Sequence, residues 1–497
     1  MSILNLALTL LIGTSVLLVA VLAIRISGLL GFPSLLIYLV IGVVLGGSGL
    51  GIRFSDYELA KALGTVALAL ILAEGGFTTR WSNVRPQLLT GVLLSTVGVA
   101  VSVAVMATAA VWLLGMSWQV GLILGAVVSS TDAAAVFSVL RRLRLPPRVL
   151  ATLELESGLN DAPVILIVTA LSVPADAIEP WWQIGLFVVA ELIGGAAIGL
   201  LIGRMGAQLL RRSTLPSSGL YAITTLTILV LAFAVAAVAH TSGFLATYVA
   251  GVVLGHADLP YKRASVAFSE AVSWLAQIGL FIMLGLLVDP PEIVPVILPA
   301  IVFGIILLLV ARPLSVILST IAVRISLRDQ VFYSWSGLRG AVPIVLATIP
   351  VTAGINGGDR ILHMVFILVV IFTLVQGTTL PMVARVLGLA NTEQTTELEF
   401  EVAALDEAGA QILAFTVAAD SRLNGVYVGE LRLPRTAIVS LILRGEQRFV
   451  PERETRIRAG DQLLVVTPND QRTRTERRLL AVSRAGRLAS WRPEQRD

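Results

Sequence analysis

Four carboxylates, Asp132, Glu154, Glu156 and Asp161, fall between Val128 and Val164 in two segments that are otherwise apolar. A turn carrying Arg141, Arg142, Arg144 and Arg148 joins those segments. If both cross a bilayer, each ionised side chain costs roughly 2.5–3.5 kcal/mol on insertion scales, so the hairpin reads as a working site. On a helix, Glu154, Ser157, Gly158 and Asp161 share one face, with Glu156 and Asn160 on a neighbouring one. Ser157 and Asp161 lie one turn apart and can offer oxygen to the same small ion. Hard cations take such ligands: carboxylate, hydroxyl and backbone carbonyl. Burial disfavours the ionised carboxylate, so the same group can hold a proton instead. Competition between proton and cation at one acid is the minimum machinery for exchange.

These residues need a frame that holds backbone oxygen inside the membrane. Ser129, Ser130, Thr131 and Asp132 sit mid-segment between apolar runs, which predicts an interrupted helix whose free carbonyls and half-helix ends face a site. The stretch SWSGLRGAVPIV is its counterpart, with Gly337, Gly340 and Pro343 as breakers and Arg339 as a buried cation. The two lie seven spans apart, the spacing expected of inverted repeats with paired broken helices. Arg312, inside IILLLVARPLSVIL, needs a carboxylate, and Arg339 needs a carboxylate or a helix carboxyl end. Glu156 and Asp132 are the candidates.

The composition agrees with that frame. The 497 residues are 56% hydrophobic and only 14% charged, and mean hydropathy is +0.88, against about 25% charged residues in soluble domains. The expected fold is an all-α polytopic membrane protein with about 13 transmembrane helices, in two inverted repeats with broken crossing helices, plus a small α+β cytoplasmic domain. The spans fall near 4–24, 31–51, 60–78, 88–114, 118–140, 149–173, 182–209, 218–239, 244–257, 270–288, 294–323, 331–353 and 361–388. The first has no basic flank and no small-residue cleavage site, so it reads as a span and not as a removable signal. Basic residues fill every second connection (Arg25; Arg80 and Arg85; 141–148; Arg211 and Arg212; Lys262 and Arg263; Arg324 and Arg328), and the others are acidic or neutral. The positive-inside rule then puts the amino terminus outside and the carboxyl terminus in the cytoplasm. The excess of positive charge lies wholly in the first 390 residues. It reads as loop arginines facing lipid headgroups, not nucleic acid. With no cysteine there is no disulfide.

Domain boundaries follow the change of texture: a membrane domain over 1–390, a polar linker over 391–407, a soluble domain over 408–485 and a tail over 486–497. Alternating runs at 411–417, 437–443 and 461–466, with a turn at 444–446 and RFV after it, predict a small sheet. A charged helix over about 470–483 follows.

The motifs STDAAAVFSVL, ESGLNDAPV and GLRGAVPIVLATIP resemble those of the cation:proton antiporters of the bacterial NhaP branch. The resemblance covers about residues 1–390. It implies that Asp161 of the Asn160–Asp161 pair binds ion or proton where two unwound helices cross, and that Ser157 and the Thr131 carbonyl help to coordinate the ion. It further implies that Glu156 pairs with Arg312, and that Asp132 and Arg339 neutralise the broken helix ends. The exchange would be electroneutral, because asparagine replaces the second aspartate of electrogenic relatives. Residues 431–466 resemble the regulatory C-lobe of potassium-transport proteins, and antiporters of this build imply K+ over Na+. The expected ligands are therefore transported K+ or Na+ and H+ with no cofactor. The setting is the inner membrane, the assembly a homodimer, and the C-terminal domain a site for a nucleotide-type regulator. The rival reading is a cation channel or uniporter gated by the cytoplasmic domain, though no carbonyl filter of the Thr-Val-Gly-Tyr-Gly kind is present.

Overall fold

The structure is a computed structural model describing residues 3–389 and 410–486, except 31–32, 48, 53, 133–144, 289, 324, 419–420, 435, 446 and 469–470. Arg141, Arg142, Arg144 and Arg324, residues 133–140 of the fifth expected span, the linker and the tail beyond 486 lie outside the described residues. The chain divides into two compact units, Met1–Asn391 and Thr392–Asp497.

Among the described residues the first unit contains helices and no strand. Its elements are α1 (Ile3–Leu30), α2 (Ser34–Leu45), α3 (Tyr57–Thr78), α4 (Trp81–Leu114), α5 (Trp118–Ser129), α6 (Pro147–Leu171) and α7 (Trp181–Arg212). Then come α8 (Ser218–Val238), α9 (Gly243–His256), α10 (Lys262–Leu286), α11 (Pro290–Thr320), α12 (Leu327–Trp335), α13 (Ala341–Thr352) and α14 (Gly358–Val386). Local chemistry sets many starts. Asp56, Ser117, Ser217, Ser242 and Ser326 each accept a backbone N–H of the turn they open, satisfying a donor that a helix leaves free.

Each of the thirteen expected segments contains helix, but among the described residues eight helices are long and apolar enough to cross a membrane: α1, α3, α4, α7, α8, α10, α11 and α14. The others fall short for two reasons. α2, α5, α9 and α13 are short apolar helices and α12 has only 9 residues; α5 stops at a break and α13 at a turn through Gly354. α6 is long enough but carries Arg148, Glu154, Glu156 and Asp161, so its composition is that of a site and not of a lipid-facing span.

Two groups of helices pack mainly within themselves: α1–α3 with α7–α10, and α4–α6 with α11–α14. They meet along a seam of α3, α9 and α10 on one side and α6 and α13 on the other. Close approach within the first group depends on missing side chains. A Cβ on Gly251 of α9 would meet the backbone of Phe77 and Gly76 in α3 at 2.8–2.9 Å.

The second group carries matched irregularities. α4 contains a π turn at Leu94–Gly98, and α11 contains one at Leu307–Ala311, immediately before Arg312. The two elements are the fourth and eleventh expected spans. Their spacing repeats that of the two interrupted helices, as inverted repeats require.

The second unit is an antiparallel sheet of β1 (Ala410–Thr416), β2 (Ile438–Arg444), β3 (Gln447–Phe449) and β4 (Gln462–Pro468), in the order β1-β4-β2-β3. Helix α15 (Arg472–Ala485) sends Leu479 and Val482 into a core with Phe415, Val439, Ile442, Leu463 and Val465. Beside that core Asp461 is fully buried, accepting from Arg444 Nε and Nη2 at 2.7 Å each and from the Arg458 backbone N–H at 2.7 Å. Its carboxylate holds the Arg444 guanidinium above the usual arginine range.

Candidate ion site where two interrupted helices meet

Both breaks expected from the polar and glycine residues are present. α5 ends at Ser129, and Ser130 is extended; α12 ends at Trp335, and α13 begins only at Ala341. The breaks touch through their backbones, the Asp132 N–H donating to Leu338 O at 3.0 Å.

Free helix ends buried in a membrane need partners, and two arginines supply them. Arg339 Nε donates to Val128 O at 2.7 Å, in the last turn of α5, and its Nη1 to Gly337 O at 2.7 Å. Arg312 pairs with Glu156 through Nη1 and donates from Nη2 to Tyr333 O at 3.1 Å, in the last turn of α12. Each cation thus sits on the negative end of one interrupted helix. The Asp132 carboxylate lies against Gly340, where an added Cβ would overlap it, beside the positive amino end of α13.

Between these charges lies a network of oxygens. Ser130 Oγ donates to Asp161 Oδ1 at 2.5 Å. Ser157 Oγ donates to Thr131 O at 2.9 Å, Thr131 Oγ1 and Ser157 Oγ are 3.1 Å apart, and Asn160 Nδ2 donates to Thr131 Oγ1 at 2.6 Å. Asp161, Ser157, Thr131, Asn160, Glu156, Asp132, Arg312 and Arg339 are all buried. The structure brings every one of these expected residues into one cluster, with Asp161, Ser157 and Thr131 presenting carboxylate, hydroxyl and carbonyl together.

A cavity of about 260 Å³ leads to this cluster along the seam. Asp132, Glu154, Ser157, Gly158, Asp161 and Val342 line one side; Glu74, Thr78, Tyr248, Glu270, Trp274 and Gln277 line the other with neighbouring apolar residues. Thr78 ends α3 just before Arg80, Glu154 follows Arg148 in α6, and Glu270 follows Lys262 in α10. The cavity therefore runs from Asp161 toward the helix ends that carry those basic residues.

The comparisons with known proteins agree with this architecture. Residues 15–386 match the family model described as sodium/hydrogen exchanger, transmembrane, and residues 412–480 match the TrkA-C domain. The chain belongs to the sodium/hydrogen exchanger family. Among curated proteins it is 35% identical to the K(+)/H(+) antiporter NhaP of Alkalimonas amylolytica, over 92% of this chain and 81% of that protein. It is 28% identical to the Na(+)/H(+) antiporter NhaH of Halobacillus dabanensis, over 75% of this chain and 96% of that one. Among solved structures, the sodium proton antiporter MjNhaP1 from Methanocaldococcus jannaschii shares its fold, with TM-score 0.67 at 23% identity over 76% of this chain and 99% of that one. This exchanger-family chain is a multi-pass membrane protein with a TrkA-C domain after its membrane unit.

Sequence reasoning missed two features of the site. Ser130 is the direct hydrogen-bond partner of Asp161, and Arg312 serves Tyr333 O as well as Glu156. Ser130 carried a local signal, as part of the polar break. Glu154, one of the four carboxylates of the hairpin, lines the cavity beside Thr79, and Glu74 lines it from α3.

Proposed function

We propose that this chain is an antiporter exchanging a monovalent cation, K+ by preference with Na+ as the weaker substrate, for H+ across the inner membrane. The observation that carries this reading is the buried Asp161, held by Ser130 and flanked by Ser157 and Thr131, at the closed end of an acid-lined cavity. An acid there binds a proton or a partly dehydrated cation, one at a time. Among the described residues, the other charges of the cluster itself are neutralised within it: Glu156 by Arg312, and Asp132 and Arg339 by opposite helix ends. One titrating charge per cycle gives one-for-one, electroneutral exchange. The group of helices carrying Asp161 would move against the other group to present the site to each face in turn. The basic helix ends at the mouth of the cavity face the cytoplasm under the positive-inside rule, with the amino terminus outside.

The K+ preference rests on the relatives named as K(+)/H(+) antiporters, which match across nearly the whole chain. A homodimer and a nucleotide-type regulator on the TrkA-C domain complete the reading. The deciding experiment is proton flux in proteoliposomes on addition of K+ or Na+, with valinomycin-clamped voltage. Flux driven by K+ above Na+, unaffected by the clamp and absent in Asp161→Asn, is the expected result. Current without a proton gradient, or full flux in Asp161→Asn, overturns it.

A further inference from the structure

Glu154 lies two helical turns from Asp161 on the same face of α6, about 10 Å along the axis, at the level of the cavity's mouth. Its contacts come from the opposite helix group. Thr79, the residue that ends α3, contacts Glu154 Oε1 through its hydroxyl, and the same hydroxyl donates to Gly75 O at 2.7 Å. A hydroxyl has one hydrogen for these two acceptors. When it goes to Gly75 O, a proton on the Glu154 carboxyl fills the contact, or the two oxygens part to admit a cation between them.

A second observation points to a ligand at this place. Tyr248 of α9 is 4% exposed and lines the cavity, and its hydroxyl faces the Thr79 hydroxyl without completing a well-formed hydrogen bond. The ring packs on Gly158, where an added Cβ would meet Cε2 at 2.6 Å and Cζ at 2.7 Å. Gly158 is one turn from Glu154 and one turn from Asp161, so the phenol end is held between the two acids. A buried hydroxyl without a well-formed bond costs about 1–3 kcal/mol, which an ion or its water would offset.

We propose that Glu154, Thr79 and Tyr248 form a second monovalent-cation site, a vestibule where a cation still partly hydrated waits before it reaches Asp161. The donor set is all oxygen, with one carboxylate and two hydroxyls, which suits an alkali cation. The cavity has room for several waters. Its carboxylate comes from one helix group and both hydroxyls from the other, so the site exists only while the seam has this arrangement. Movement of α6 takes Glu154 away from Thr79 and Tyr248 and releases the ion toward Asp161 or back to the mouth. This inference rests on the antiport reading above.

The test uses the full-length chain and thallium(I) as the probe. In crystals of Asp161→Asn soaked in Tl+, anomalous density is expected between Glu154, Thr79 and Tyr248 although transport is lost; in Glu154→Gln only the density at Asp161 remains. In everted vesicles, where the cavity faces the medium, Glu154→Gln should raise the half-saturating cation concentration roughly fivefold, and Tyr248→Phe, which keeps the packing on Gly158, roughly two- to threefold. The rise in right-side-out vesicles should be much smaller. Asp161→Asn crystals without density at Glu154, or equal rises from both faces, overturn the vestibule and leave antiport at Asp161 standing. Failure of wild-type proton flux would instead remove the antiport reading itself.

Discussion

Replacing Arg312 with alanine tests whether the charges around the site are balanced pair by pair. Glu156 is 2% exposed and Arg312 5% exposed, so the substitution strands a carboxylate in the membrane core and leaves the Tyr333 carbonyl, 3.1 Å from Arg312 Nη2, without its cation. Breaking a buried pair from one side costs about 3–5 kcal/mol. Arg339 cannot take over cheaply, because its bonds to Val128 O and Gly337 O, both 2.7 Å, hold the end of α5. At about 2 °C per kcal/mol for a large domain, the melting point of the purified protein should fall by roughly 5–10 °C. The double variant Arg312→Ala with Glu156→Gln removes the stranded charge and should recover at least half of that loss. The readout is tryptophan fluorescence or size-exclusion survival against temperature in detergent, at fixed K+ and pH. Arg312→Ala melting within about 2 °C of wild type, or a double variant no better than the single one, would refute the pairing argument.

Further outcomes follow from the same geometry. On the proposed mechanism the ionised form of Asp161 binds the cation and the proton competes: on the acid side of its titration, each pH unit downward should raise the half-saturating cation concentration up to about tenfold, and a flat series in vesicle flux would contradict one shared site. Gly340→Ala places a methyl group on the Asp132 carboxylate and should cost about 1–3 kcal/mol and most of the transport, while Gly354→Ala, where only a positive φ is at stake, should transport normally. Asp461→Ala removes three hydrogen bonds and leaves Arg444 only the Arg456 carbonyl and the Phe449 ring. It should destabilise the TrkA-C domain by about 2–4 kcal/mol, read as faster trypsin cleavage within 410–486 of the full chain while the membrane unit stays resistant.

Much of the site was legible because a helix converts spacing into direction. Ser157 and Asp161 had to share a face, and polar residues at 129–132 and glycines at 337 and 340 had to interrupt their helices in an apolar run. Arg312 had to find an acid, because a lone guanidinium in lipid is too costly. What could not be read was anything set by one helix group meeting another. Thr79 looks like a residue at a helix end, and Tyr248 like an aromatic in a short apolar span; their place beside Glu154 is fixed by how α3 and α9 pack on α6. The sheet of the second unit was plain from alternation, but its order was not. Nothing local says that β4, last in sequence, pairs with both β1 and β2.

The π turn before Arg312 has a consequence for how this stretch can vary. One extra residue is accommodated there, and each residue of a helix advances the following side chain by about 100°. Removing a single residue from Leu307–Ala311 would return the backbone to a regular spiral and leave Arg312 turned toward Glu156. Straightening the turn with all five residues kept would instead swing Arg312 about a quarter of the way round and away from it. A one-residue deletion should therefore be tolerated better than a one-residue insertion, and the same rule should hold at Leu94–Gly98 in the other half of the molecule.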